Sequence, residues 1–253
     1  MVRGLYTAAT GMMVQRNKMD VLTNNIVNAE TAGYKKDTLI TSTFDEVMLK
    51  RIHDPNVSIY GGSAVGSYSH GTHIDELVTN FSEGNLEMTG KSTDLAILGE
   101  GFFVVETAAG ERYTRSGSFA VDGEGYLVTQ DGNYILGENG RIYAGSAEFT
   151  VAADGTVGGA LSSGDRLRLA TFEDPGVLRK QGNNLYYAYG GAPAAPAAGA
   201  VIRQGAQEGS NVEIAEEMVD MITVYRKYEA SQKVAGMTDD TLAMAVNLGK
   251  VGG

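Results

Sequence analysis

Apolar residues recur every seven positions at both ends of this chain, over stretches too long and too narrow-faced to cover a globular core alone. Leu5, Met12, Met19 and Ile26 form one row, and Ala8, Gln15, Leu22 and Ala29 form a second row three positions on. This pattern predicts a helix of ~26 residues, ~40 Å long, with Gly33 as its stop, because glycine adopts the left-handed conformation without strain. At the other end, Ser210 and Glu213 have the spacing of a capping box. Ile214, Met218, Met221, Tyr225, Tyr228, Gln232, Ala235, Asp239, Leu242 and Val246 then follow in steps of four and three. A helix from 211 to about 247 would span ~55 Å. Stripes this narrow on helices this long predict partner helices: each terminus buries the other, and copies of both.

Between the ends the period changes from helical to β. Asp122-Gly123-Glu124-Gly125, Asp131-Gly132, Asn139-Gly140 and Asp154-Gly155 are hairpin signals of the type I′ kind, which needs positive φ at both central residues. They separate short runs at 119–121, 126–130, 133–136 and 141–143. Leu167, Leu169 and Thr171 alternate with polar or small neighbours. The expected fold is therefore α+β: long N- and C-terminal helices forming a coiled-coil-like stem from residues 1–36 and 207–253, with a mainly antiparallel all-β middle domain over 88–190. Residues 190–200 contain only Gly, Ala and Pro, so 191–206 reads as an extended return linker. Residues 37–87 read as a connector. Within it, the capping-box spacing of Thr43 and Glu46 predicts a short helix over 44–52, ended before Pro55, and 56–73 reads as a loop or loose hairpin.

Charge follows the same division. Residues 1–36 carry a net +3, residues 207–253 a net −4, and the whole chain −11. Opposite signs on the two termini would guide pairing, although exposed pairs add at most ~1 kcal/mol each. An acidic surface excludes general binding to nucleic-acid backbones, which rests on cations. No apolar run is long enough for a membrane-spanning helix. With no cysteine, there is no disulfide framework, thiol catalysis or thiolate metal site. The start, Met1-Val2-Arg3-Gly4-Leu5-Tyr6-Thr7, lacks a continuous apolar core of the secretory-signal type, so if the protein leaves the cytoplasm it is expected to do so without signal cleavage.

The motifs that suggest chemistry fail on spacing. Gly84 to Gly90-Lys91-Ser92 resembles a phosphate-cradling loop but has five residues between its glycines where four are needed. His70 and His73 precede Asp75 and Glu76, a spacing that could ligate a metal, but a solvated loop is the simpler reading, with His53 the only other histidine. No Gly-x-Ser-x-Gly elbow is present. The sequence therefore predicts no catalytic, cofactor or metal site. Its candidate site residues are subunit contacts: Leu5, Met12, Met19, Leu22 and Ile26 on the first helix, and Ile214, Met218, Met221, Tyr225, Tyr228, Leu242 and Val246 on the second. Asn24, Asn25 and Asn28 either cap and turn the chain or fix register between chains.

Three blocks carry a family resemblance. Leu5-Tyr6-Thr7-Ala8-Ala9-Thr10-Gly11-Met12, with Leu22-Thr23-Asn24-Asn25-Ile26-Val27-Asn28-Ala29-Glu30-Thr31-Ala32-Gly33-Tyr34-Lys35, resembles the N-terminal signature of bacterial flagellar rod and hook proteins. Asp94 to Val105 and Tyr113-Thr114-Arg115-Ser116-Gly117-Ser118-Phe119 resemble the entry to their middle domain. Ser210-Asn211-Val212-Glu213 through Val219, and Tyr225 to Ala230, resemble their C-terminal signature. Val27 and Glu30 depart from the family's usual Ala and small polar residue. The resemblance implies an axial structural subunit of the basal-body rod in the cell envelope, exported by the flagellar type III apparatus. Its partners would be copies of itself and neighbouring axial proteins. A hook-type subunit or rod–hook adaptor is the nearer alternative. A secreted peptidoglycan-cutting enzyme or an adhesive β module is the remoter one.

Overall fold

A computed structural model describes residues 2–51, 63–146, 148–159, 164–191, 194–197 and 199–251. Two compact units emerge: Met1–Asn24, Asp37–Val78 and Ala215–Gly253 form the first, and Asn25–Lys36 with Thr79–Ile214 form the second. No described helix is long and apolar enough to cross a membrane.

The first unit holds the long helices. Helix α1 spans Val2–Val27 and α2 spans Ile214–Val251. Gly33 therefore lies beyond the end of α1 and does not stop it. Ser210 does not cap α2 either: its hydroxyl accepts from Val212 N at 3.2 Å, and the helix begins at Ile214. The two helices meet through small residues. A Cβ added at Gly4 would lie 3.6 Å from Thr238 Cγ2, and one at Gly11 would lie 3.5 Å from Ser231 Oγ. As one index rises the other falls, so the helices run antiparallel at this contact.

This seam differs from the expected one. On α1 it runs through Gly4 and Gly11, one position before the Leu5 and Met12 row, with Ala8, Thr10 and Val14 buried beside it. On α2 it runs through Val224, Ser231 and Thr238. Small residues let two backbones approach closely, because the side chains at the contact set the interaxial distance. Gly11→Ala is expected to raise stability, since its methyl makes an ordinary contact and alanine gains up to ~1 kcal/mol of helix propensity. Gly11→Leu is expected to cost about 1–3 kcal/mol by forcing the helices apart. Urea midpoints followed by circular dichroism would separate the two.

The same unit contains β1 (Asp37–Thr43), β2 (Val47–Arg51), β3 (Ser63–Tyr68) and β4 (Thr72–Thr79). β1 pairs with β4 and β2 with β3. The short helix expected over 44–52 is thus a strand at 47–51. Val47, Met48 and Leu49 pair with Tyr68, Ser67 and Gly66, and tertiary pairing overrides the local helix signal. The segment 56–73, expected as a loop or loose hairpin, contains β3 and the start of β4, while His53, Pro55 and residues 56–62 lie outside the described residues. His73 stacks on Phe44 with ring centroids 4.8 Å apart, and its Nε2 lies 3.1 Å from Ser42 Oγ. Thr7 Oγ1 lies 3.2 Å from Tyr68 Oη, on the face of α1 that the hairpin covers.

The described strands of the second unit pair antiparallel. Its strands are β5 (Leu86–Met88), β6 (Leu95–Leu98), β7 (Phe102–Thr107), β8 (Gly110–Thr114), β9 (Phe119–Val121), β10 (Leu127–Thr129), β11 (Tyr134–Ile135), β12 (Thr150–Val151), β13 (Val157–Gly158), β14 (Leu169–Thr171), β15 (Leu178–Gly182), β16 (Leu185–Ala188), β17 (Ala195–Pro196), β18 (Val201–Gln204) and β19 (Ala206–Glu208). The main sheet has the order β15-β16-β8-β7-β11-β10-β9, and β14 joins β7 to β17.

Strand β7 is central and covered on both faces, which explains its unbroken apolar run Phe102-Phe103-Val104-Val105. Alternate side chains point to opposite faces of a strand. Phe103 and Val105 pack with Leu95, Phe119, Leu127 and Ile135, whereas Phe102 and Val104 pack with Tyr113, Phe172, Leu178 and Tyr186.

The turns fall where expected, but by a different device. Gly125, Gly132, Gly140 and Gly155 have positive φ, while the Asp and Asn residues of these turns do not. Two consecutive non-glycine residues with positive φ occur only at Asn183 and Asn184, between β15 and β16, among the described residues. The expected return linker is partly strand: β17 pairs with β14, and β18 pairs with β6 in the register Ile202 to Ile97.

Candidate subunit interface

The structure divides the expected contact residues into two sets. Met12, Met19 and Leu22 on α1 are half-buried, as are Met221, Tyr228 and Leu242 on α2. The last three form one row, each four residues beyond the buried Glu217 and Val224 or the half-buried Thr238. Leu5, Ile214, Met218, Tyr225 and Val246 are exposed, with Met218 at 52% and Tyr225 at 53%. Further large apolar residues that the expected stripes did not include join them: Tyr6, Met13, Val219, Ile222, Met237 and Met244. Large exposed apolar patches are, in general, a feature of surfaces that meet other molecules.

Asn24 and Asn25 lie in the last turn of α1, and Asn28 lies just beyond its end. Asn25 is fully buried, and its Oδ1 accepts from Tyr34 Oη at 3.1 Å. Asn28 Oδ1 accepts from Thr31 Oγ1 at 3.2 Å. Asn24 is exposed and Ile26 half-buried.

In the second unit, a buried charge cluster draws the signature blocks together. Lys35 Nζ donates to Glu208 Oε1 at 2.5 Å and to Ser82 O at 2.7 Å. Arg115 Nε donates to Glu208 Oε2 at 2.5 Å, and its other nitrogens donate to the carbonyls of Gly101 and, at 2.7 Å, Gly99. Gly84 N donates to Glu208 Oε1 at 2.9 Å. All three charged side chains are at most 5% exposed. Burial pushes the Glu208 carboxyl up, but Arg115, Lys35 and the Gly84 amide outweigh it and hold it below the usual carboxylate range. Burial is the largest influence on Lys35 and lowers its ammonium below the ordinary value, Glu208 offsetting only part.

Glycines make this convergence sterically feasible. A Cβ at Gly117 would lie 1.5 Å from Leu95 O, and Leu95 N donates to Gly117 O at 2.9 Å. Gly33, at φ +67°, would place a Cβ 2.4 Å from Ser116 N, while its own N–H donates to Glu208 O at 2.7 Å. The chain that resembled a phosphate loop at Gly84 instead lies against Gly209, whose N–H donates to Asn85 O at 2.7 Å. Asn211 completes the junction: Oδ1 accepts from Lys36 N at 2.8 Å and Nδ2 donates to Asn80 O at 2.9 Å.

Sequence reasoning passed over Lys35, Arg115 and Glu208 as functional residues. The available signal was a cation inside Gly33-Tyr34-Lys35 and another inside Tyr113-Thr114-Arg115-Ser116-Gly117, both quoted blocks rich in glycine and hydroxyl residues. Nothing local marked Glu208 as their shared partner.

Comparison with known proteins matches the same three blocks. Residues 5–35 match the flagella basal body rod protein family. Residues 96–159 match the flagellar hook protein FlgE/F/G D1 domain, and residues 203–248 match the flagellar basal body rod FlgEFG protein C-terminal family. The chain is 33% identical to flagellar basal-body rod protein FlgG of Bacillus subtilis (strain 168), covering 98% of this chain and 99% of that one. It is 35% identical to flagellar basal-body rod protein FlgF of Caulobacter vibrioides, covering 99% and 100%. It is 32% identical to flagellar hook-basal body complex protein FlhO of Bacillus subtilis (strain 168), covering 99% and 100%. The blocks that meet around Glu208 and run out along the two long helices are thus a family's shared frame, and this chain belongs to the flagellar basal-body rod and hook protein family.

Proposed function

We propose that the chain is a structural subunit of the flagellar basal-body rod, and that its terminal helices polymerise into the wall of a helical tube that carries torque. The observation that carries this reading is the use of the two helix surfaces. Small residues join α1 to α2, while Met218, Ile222 and Tyr225 on one helix and Leu5, Tyr6 and Met13 on the other remain uncovered. Heterologous contacts that do not close on themselves propagate into an open helical array. In such an array each uncovered row meets a neighbouring copy, giving the coiled-coil-like stem a partner on its outer side.

The partners are copies of this chain, adjoining axial proteins of rod and hook, and the type III export apparatus that delivers the subunit to the cell envelope. The function is mechanical and uses neither cofactor nor catalysis. Its rigidity in the second unit comes from the doubly covered β7 strand and the Glu208 cluster.

Quantitative mass spectrometry of purified basal bodies tests the assignment. Copies in the tens are expected for a main shaft segment. A handful would assign the chain to a short segment or an adaptor beside the hook, and absence would overturn the rod reading.

A further inference from the structure

The chain has ten methionines and no cysteine. Its methionine sulfurs are therefore its principal sites for two-electron oxidation, with no thiol to compete. Four of them lie on the uncovered helix surfaces: Met13 is 67% exposed, Met218 52%, Met237 61% and Met244 65%. Met12, Met19 and Met221, nearer the helix seam, are half-buried. Met48, on β2, is 58% exposed and Met88, on β5, 64%, and these two provide internal controls on strands.

We propose that Met13, Met218, Met237 and Met244 are separate oxidation-sensitive modification sites, at which a peroxide-class oxidant reversibly blocks the subunit from assembling. The inference rests on the helix surfaces being the assembly interface, as argued above. In the reaction the thioether sulfur attacks one oxygen of hydrogen peroxide. An S–O bond forms as the O–O bond breaks, and the departing hydroxide takes the proton of the hydroxyl now on sulfur, leaving as water and the sulfoxide. Sulfur loses two electrons and the peroxide gains them.

The consequence depends on where the new oxygen resides. In the free subunit it stays in water and costs nothing. In a docked interface that strong acceptor is taken out of water among apolar neighbours, and an unpaired buried polar group is heavily penalised. Oxidation therefore leaves the fold intact and acts on assembly alone. Methionine sulfoxide reductases reverse the change.

The test treats the purified full-length chain with hydrogen peroxide and maps sulfoxide by peptide mass spectrometry. Sedimentation then measures the concentration needed for assembly. Oxidised chain is expected to keep its circular dichroism spectrum while that concentration rises about tenfold or more, and reductase treatment is expected to restore it. In a variant combining Met13→Leu, Met218→Leu, Met237→Leu and Met244→Leu, peroxide should not move the threshold from that variant's own starting value. Met88→Leu should give no protection. Wild-type chain carrying sulfoxide at the four sites yet assembling at an unchanged threshold would overturn the proposal, as would equal peroxide sensitivity of the fourfold variant. If Met218→Asp blocks assembly while oxidation does not, the interface stands and this inference alone fails. If Met218→Asp assembles normally, the interface reading itself fails.

Discussion

Glu208→Gln is expected to destabilise the second unit by about 3–5 kcal/mol, because it removes the buried carboxylate shared by two buried cations and leaves Arg115 a longer pairing, at 3.8 Å, with the exposed Glu83. Lys35 and Arg115 each place a nitrogen 2.5 Å from the carboxylate, and neither can reach water at their 1% and 5% exposure. Glutamine keeps the shape and an acceptor but removes the charge. Urea unfolding followed by circular dichroism would measure the loss, and a change below about 1 kcal/mol would show that the cluster tolerates net positive charge.

The acid limb of stability provides a second readout of the same substitution. The folded carboxyl lies below its ordinary value, so the unfolded chain binds more protons than the folded one between the two values. The contribution is fully present above the ordinary carboxylate value of ~4.3 and disappears as pH falls through the lower folded value. Glu208→Gln should flatten this part of the profile. Lys35 is also held below its ordinary value, so stability rises with pH between its folded and ordinary values.

Met218→Asp is expected to have the largest functional effect with the smallest effect on the subunit. At 52% exposure the side chain can turn its carboxylate to water, and a surface change of this kind stays within ~0.5 kcal/mol. Against the apolar face of a neighbouring copy the same charge would be buried without a partner. Such a burial costs several kcal/mol, enough to reduce incorporation into rods below detection and abolish swimming. Normal rods with the variant present in them would exclude this face of α2 from the interface. Ile26→Asp is a weaker probe, since Ile26 is half-buried within the subunit itself, and loss of assembly there would not separate interface from fold.

Legibility in the sequence tracked how local each signal was. The heptad rows located both helices to within a few residues, because the period of α1 and α2 is written along one stretch of chain. They did not reveal which row faces inward. Large apolar residues suggest a seam by their hydrophobicity, whereas Gly4 and Gly11 form one through closeness of backbone, which no propensity scale rewards. The strands at 119–121, 127–129 and 134–135 were legible from Asp-Gly and Asn-Gly turns, although the left-handed conformation belongs to glycine alone there. The Asn183-Asn184 turn has no glycine between its strands and was passed over. Residues 47–51 have helix-compatible chemistry and became a strand only through pairing with 63–68, a partner chosen by tertiary context. The Glu208 cluster was least legible, since its members are separated along the chain and each alone resembles an ordinary surface charge.

That separation has a consequence for the order of events during folding. Lys35 and Glu208 are 173 residues apart, and β5 and β6 pair with β19 and β18 across separations of 103 to 122 residues. Loops that long cost entropy to close before any contact compensates them, and folds dominated by such contacts form slowly. The charges in the core also oppose partial closure, since Lys35 and Arg115 cannot be buried together until the carboxylate arrives. The second unit therefore cannot lock until residue 208 is available. A chain emerging from its N-terminus remains pliable along nearly all of its length, and becomes rigid only when its last quarter joins its first.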